Sequence, residues 1–205
     1  MVGKIFITRN GYDPQLGKHV KDPYLDGSRA TLGGCRPDIR RRLMIGDHVF
    51  VISGRVPGAP QFVMCAFEIA AKITALEAFR LFPDLRLRQR DDGQLTGNVI
   101  VDANGHQHEL DNHKTKTFNK RVNNYVVGKN VITLQSDDEI AVGREQTLDA
   151  LRDILHRSGK RPIDVVGRFG TDLSEEQVQQ LRRWLEELKH VGHASDSRSL
   201  NRGAA

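Results

Sequence analysis

The sequence predicts a single domain of mixed α+β class. Three observations predict it: β-branched and aromatic runs bounded by turn residues recur through the first two thirds, Asn104-Gly105 marks a tight hairpin, and apolar stripes at helical spacing occupy the last third. No Pro/Gly/Ser-rich linker divides the 205 residues, a length near the upper end of one ordinary domain.

Lys4 to Thr8 is an opening strand that ends at the Asn10-Gly11 turn. From Tyr12 to Gly34, residues such as Pro14, Gly17, Pro23, Gly27 and Gly33 predict a long irregular loop, and such loops more often carry function than not. Pro37 and Asp38 suit the first turn of a helix reaching Leu43, which Gly46-Asp47 stops. His48–Ser53 and Gln61–Ile73 form an antiparallel hairpin across a turn with two prolines. Thr74 and Glu77 have capping-box spacing for a helix through Leu81, and Pro83 ends it.

Gly97–Val101 and Gln107–Leu110 flank the Asn104-Gly105 turn, and Asn130–Gln135 is a further strand. Leu148, Leu151, Ile154 and Leu155 make a helical stripe, Ile163–Val166 reads as a last short strand, and Ser174 with Gln177 opens the final helix. There Val178, Leu181, Leu185 and Leu188 share one face, beside Trp184. From Gly192 to Ala205 the composition predicts an irregular tail, because one Leu cannot offset the entropy of ordering. The expected organisation is a domain over 1–140, a helical extension over 141–191 packed on it, and a tail over 192–205.

Lys and Arg outnumber Asp and Glu by 31 to 26, so a polyanion such as nucleic acid or a nucleotide is the expected partner class. No apolar run reaches the roughly 18 residues a membrane helix needs, and the expected compartment is the cytoplasm. With two cysteines, and Cys65 in an apolar run, a disulfide framework is not expected. Dinucleotide, phosphate-loop, CxxC and Gly-x-Ser-x-Gly signatures are all missing, which removes the common enzyme readings they announce; no cofactor is expected.

Three constellations can carry chemistry. Cys35-Arg36-Pro37-Asp38-Ile39-Arg40-Arg41-Arg42 sets four arginines at a helix start, with Arg36 and Arg40 spaced to share a face and grip one phosphate; the alternative is a solvated basic helix. Lys114 to Tyr125 interleaves Lys114, Lys116, Lys120 and Arg121 with Phe118 and Tyr125, the pattern of a surface that tracks a strand by charge and stacking; a charged loop is the alternative. His106, His108, Asp111 and His113 are spaced so that His106 and His108 can share one metal ion, with Asp111 or His113 completing the shell, although hairpin histidines are usually just exposed.

Thr31-Leu32-Gly33-Gly34-Cys35-Arg36-Pro37-Asp38-Ile39-Arg40-Arg41, followed by Gly46-Asp47 and the His48–Ser53 strand, resembles the Leu…Cys-Lys-Pro…Ile-Arg…Gly-Asp-strand segment of the nucleotide modification associated domain family. Phe62 to Phe79 and the Arg9–Pro14 loop resemble it too, so the likeness covers roughly residues 4–140. Arg36 stands where that family more often has Lys, and the helices after Arg144 lie outside the pattern. The resemblance implies a PUA-like, mainly antiparallel β-barrel with peripheral helices, related to EVE, ASCH and YTH domains, and a pocket for a flipped base. Asn10, Tyr12, Asp13, Cys35, Arg36 and Ser53 are the residues on which such a pocket would draw.

The expected function is therefore a non-catalytic module that recognises a modified base or nucleotide within a modification or defence system. The rival is an enzyme, either a metal-assisted hydrolase on His106, His108 and Asp111 or a nucleotide-processing activity using Cys35 or Asp13. A third reading gives the Val178–Leu188 face to a second copy or a system partner.

Overall fold

The computed structural model describes residues 2–17, 21–26 and 29–200. In chain order its elements are β1 (Gly3–Ile7), β2 (Tyr24–Asp26), β3 (Arg29–Leu32), α1 (Pro37–Arg42), β4 (His48–Ile52), β5 (Val63–Ile73), α2 (Ala75–Leu81), β6 (Arg88–Gln89), β7 (Leu95–Thr96), β8 (Tyr125–Thr133), α3 (Asp137–Leu155), α4 (Pro162–Val166), β9 (Thr171–Leu173) and α5 (Glu175–Leu200). Tight 3₁₀ turns occupy Pro14–Leu16, Pro83–Leu85 and Thr115–Lys120.

Seven strands form one sheet in the order β2-β3-β8-β5-β4-β1-β9, and β6 pairs with β7 separately. β1 runs parallel to β4 and antiparallel to β9, while β3 runs antiparallel to β2 and β8. The mixed α+β class is the one the sequence predicts. The barrel implied by the resemblance is not what the strands make: the sheet order ends on β2 and β9, three residues each, and among the described residues these ends do not pair as closure requires.

The chain divides into two compact units, one from 1–19, 48–67 and 132–205, the other from 20–47 and 68–131. Each unit is assembled from segments distant in sequence. The boundary expected at 140/141 falls inside α3, within the first unit.

In the first unit β4 is buried at all five positions, as a strand covered on both faces must be, and β1 is buried at four. α3 begins at a capping box in which Ser136 Oγ accepts from Glu139 N–H while Glu139 accepts from the Ser136 N–H. Thr147, further along α3, uses its hydroxyl to accept from Val63 N–H at 3.1 Å. Val178, Leu181, Leu185 and Leu188 of α5 are all buried, and Trp184 places its indole nitrogen 3.4 Å from Gln146 Oε1 of α3. That burial uses the apolar face that the partner reading needed exposed.

Ile163–Val166, expected to be a strand, is helix α4, because Pro162 at its first position fixes a helical φ; the last strand is instead β9. α5 runs through Gly192 to Leu200, where an irregular tail was expected, and 201–205 lie outside the described residues.

In the second unit the segment expected to be an irregular loop contains the short strands β2 and β3. α2 has the expected capping box on Thr74 and Glu77. Ala75, Ala78, Leu85, Val99, Val101 and Tyr125 form a core against which Phe118 and Val122 pack. At Asn104-Gly105 the turn is real, closed by Asp102 Oδ1 accepting from the N–H groups of Asn104 and His106, but its flanks make one bridge, Val101 with Gln107, rather than two strands.

Candidate nucleic-acid interface

Both basic segments predicted to meet phosphate lie in the second unit, and a single side chain fastens them together. Arg40 of α1 has no exposed surface. Its Nε donates to the Cys35 carbonyl at 2.9 Å, one terminal nitrogen donates to Asn123 O and Asn124 O at 3.0 Å each, and the other donates to Arg121 O at 3.1 Å. Arg121 returns the link by donating to Gly34 O at 2.6 Å. The start of α1 is thus tied to Arg121 and the residues just after it through three carbonyls and one reciprocal bond.

This corrects the expectation that Arg36 and Arg40 grip one phosphate. Arg40 points into the protein and its fork geometry is taken up by backbone oxygens. Burial depresses its pKa, partly countered by Asp22. Arg36 takes a left-handed backbone (φ 51°) ahead of α1 and forms a two-point ion pair with Asp38, whose pKa the Arg36 bond lowers. The cations presented outward around this junction are Arg41 and Arg42 on α1 and Lys114, Lys116 and Lys120 on the facing segment, all exposed.

The aromatics of the second segment do not join them. Tyr125 is fully buried and Phe118 is half-buried against the unit's core, so the rings anchor the segment and the lysines face out. A 3₁₀ turn at Thr115–Lys120 produces this split, sending Phe118 inward between exposed Lys116 and Lys120.

Beneath the Gly33–Cys35 turn lies a buried polar network that composition alone did not reveal. Asp22 Oδ1 accepts from Gly33 N–H at 2.7 Å and from Asn98 Nδ2 at 3.0 Å, and its Oδ2 accepts from Cys35 N–H. Asn98 also donates to Thr31 Oγ1 at 2.9 Å, and Tyr125 O–H donates to Asn98 Oδ1 at 2.6 Å. Gly33 is required by close approach: a Cβ there would sit 2.5 Å from both Asn98 O and the Tyr125 ring.

The same network fixes the chemistry of Cys35. Burial, then the Asp22 carboxylate, push its thiol up to about 12. At neutral pH it is a thiol, which weighs against Cys35 as a nucleophile, since the thiolate is the reactive form. Ellman's reagent should therefore modify neither Cys35 nor the fully buried Cys65 in the folded protein near neutral pH, while both react after guanidinium unfolding; fast reaction at Cys35 in the native state would contradict this. Because the folded pKa is raised, the stabilisation tied to Cys35 is complete below the ordinary thiol value near 9 and is lost as pH climbs towards about 12. Cys35→Ala should flatten that alkaline limb of the stability curve.

The histidine constellation separates. His106 is exposed beside Asp102, and His108 Nδ1 accepts from Leu110 N–H. Asp111 instead meets His113 Nδ1 at 2.6 Å and Gln107 Nε2 at 2.9 Å. Burial alone would raise Asp111, yet the bonds from His113 and Gln107 carry its pKa below the ordinary carboxylate value. Among the described residues no three His, Cys, Asp or Glu are grouped to hold a metal ion.

Of the six base-pocket candidates, only Cys35 and Arg36 belong to this unit; Asn10, Tyr12, Asp13 and Ser53 belong to the first. Ser53 is fully buried and its Oγ accepts from Phe62 N–H, so it closes a hairpin. Asp13 is 1% exposed and receives both hydrogen bonds of one Arg144 nitrogen at 2.9 Å. Asn10 and Tyr12 remain accessible on the turn after β1, which is held by Gly11 N–H on Arg55 O and Gly54 N–H on Tyr12 O. Comparison of the chain with family models, with curated proteins and with solved structures finds no match.

Proposed function

We propose that the chain is a binding module for nucleic acid, contacting phosphates through α1 and the Lys114–Arg121 segment and recognising a modified base or nucleotide as part of a modification or defence system. The observation that carries the reading is the Arg40 buckle. It joins two basic segments, separated by more than seventy residues of sequence, into one cationic rim while using none of the outward-facing charges. A flexible charged loop would lose entropy on meeting a phosphate backbone, whereas a rim already fixed in place loses little. The resemblance to the nucleotide modification associated domain family, and with it a PUA-like origin for the sheet, belongs to this proposal and is supported by the Cys35–Arg41 segment forming half of the rim.

Charge reversal tests it. The triple substitution Arg41→Glu, Lys116→Glu and Lys120→Glu alters only exposed side chains and should leave the melting temperature within a few degrees. It should weaken binding to a single-stranded or duplex oligonucleotide by about a hundredfold or more at low salt, as expected for several lost phosphate contacts. Unchanged affinity would overturn the assignment of the rim.

A further inference from the structure

The first unit contains a cleft of about 730 Å³ that none of the basic segments above contributes to. Its size lies in the range of small-molecule sites, about 300–1,000 Å³. From its chemistry we infer that it binds a nucleoside 5′-phosphate, with the base against the proline walls and the phosphate at Arg55 and Lys160. This site is independent of the cationic rim proposed above.

The walls are preformed. The turn carrying Pro57 and Pro60 is closed by a bridge between Val56 and Ala59 and tied to the Asn10–Tyr12 turn through Gly11 N–H on Arg55 O. Arg144 of α3 braces the same wall. It donates to Gln15 Oε1 at 3.0 Å, to Pro60 O and twice to Asp13, and its guanidinium lies 4.7 Å from the Phe62 ring centroid. With those donors committed and its charge matched by Asp13, Arg144 positions the wall rather than meeting ligand. A cleft whose shape exists before binding spends little of a ligand's interaction energy on ordering.

The lining is amphipathic in the manner of a nucleotide. Pro57, Pro60 and Pro162, with Leu148 beside them, provide flat apolar faces suited to a planar ring. Asn10 supplies a side-chain amide with donor and acceptor, and Gln61, whose Nε2 donates to Ser53 O at 2.7 Å, adds an acceptor oxygen, the mixture that reads a base edge. Among the described residues, four cations line the cleft. Two are matched, Arg144 by Asp13 and Arg161 by Asp164 at 2.8 Å, which leaves Arg55 and Lys160, both exposed, to face the ligand with Glu145 as the opposing carboxylate. A neighbouring depression shares Lys160 and adds Arg157, whose guanidinium donates to Val165 O and Thr171 Oγ1 rather than to a carboxylate. The cationic lining therefore continues beyond the cleft at Lys160, where the 5′-phosphate of a free nucleotide or of a strand end would lie.

Isothermal titration of the full chain with adenosine, guanosine, cytidine and uridine 5′-monophosphates tests the inference, with the matching nucleosides as controls. At least one monophosphate should bind saturably, and its nucleoside about tenfold or more weaker. Arg55→Glu with Lys160→Glu should weaken that binding by about tenfold or more, and Leu148→Trp, which fills the cleft, should do the same through a different wall. Lys116→Glu, on the cationic rim, should change nothing, so loss of oligonucleotide binding and loss of monophosphate binding are read separately. Displacement of the monophosphate by a 5′-phosphorylated oligonucleotide in the Lys116→Glu protein would assign the site to strand ends, and no displacement would assign it to free nucleotide. No saturable binding of any monophosphate, a nucleoside binding as tightly as its phosphate, or undiminished binding in either cleft variant overturns the inference.

Discussion

Arg40→Met should be the most damaging single substitution near the rim, destabilising the protein by about 3–5 kcal/mol and abolishing oligonucleotide binding with it. The methionine fills the buried volume but donates nothing, so the carbonyls of Cys35, Arg121, Asn123 and Asn124 lose the guanidinium that satisfies them. Each unsatisfied buried carbonyl costs about 1–3 kcal/mol, and partial entry of water reduces the sum. Arg40→Lys retains the charge but not the planar fork, and one ammonium cannot reach three directions at once, so it should recover less than half of the loss. Urea denaturation of the three proteins measures both values. An Arg40→Met protein within 1 kcal/mol of wild type would mean that the buckle does not hold the two segments.

Asp22→Asn should rank second, at about 2–4 kcal/mol, although it changes no volume. The carboxylate accepts from Gly33 N–H, Cys35 N–H and Asn98 Nδ2, and its place in the network is acceptor-only. An amide turns one oxygen into a donor, which must face either Cys35 N–H or the pair formed by Gly33 and Asn98. A donor opposed to a donor in a buried site forfeits the bond, one at Cys35 or two at Gly33 and Asn98. The effect should extend to chemistry, because the Asp22 charge helps hold the Cys35 thiol protonated. Native-state thiol reactivity of Cys35 should therefore rise in Asp22→Asn, whereas Cys65, raised by burial alone, should stay inert. Equal stability of Asp22→Asn and wild type would contradict the network.

The elements that local chemistry dictates were legible in the sequence. Thr74 with Glu77 marks α2, Pro37 marks α1, and the β-branched run His48–Ser53 marks the strand β4. α3 carries the same signal in Ser136 and Glu139, three apart, but only the apolar stripe at Leu148–Leu155 marks it in the sequence reading, so its first turns, from Asp137, go unread. Ile163–Val166 shows composition losing to position: three β-branched residues suggest a strand, and one proline ahead of them sets a helix. β2, β3 and β9 are three or four residues long, too short for a period to register.

The site was legible by segment and not by side chain. The basic character of α1 and Lys114–Arg121 is visible in the order of residues, and the structure brings both into one unit. Which arginine of Arg40-Arg41-Arg42 turns inward depends on carbonyls more than eighty residues away, and no local pattern encodes that. Asp22, Asn98 and Tyr125 are likewise scattered through the sequence, so their network appears only once the chain is folded. Asp13 and Ser53, which the resemblance places in a base pocket, are spent on Arg144 and on Phe62 N–H. Asp13 meets Arg144, 131 residues away, so nothing local marks it as structural.

The central claim, recognition of nucleic acid through a fixed cationic rim, is tested most directly by a salt series of fluorescent oligonucleotide binding, single- and double-stranded, unmodified and carrying modified cytosine or adenine. With about three or four phosphates met by the rim, the account predicts a slope of log affinity against log salt near −3 for duplex, flattening by about one for each of Arg41, Lys116 and Lys120 reversed, and tighter binding to one of the modified bases. A flat salt response, or affinity that is the same for every base and untouched by those reversals, would contradict it.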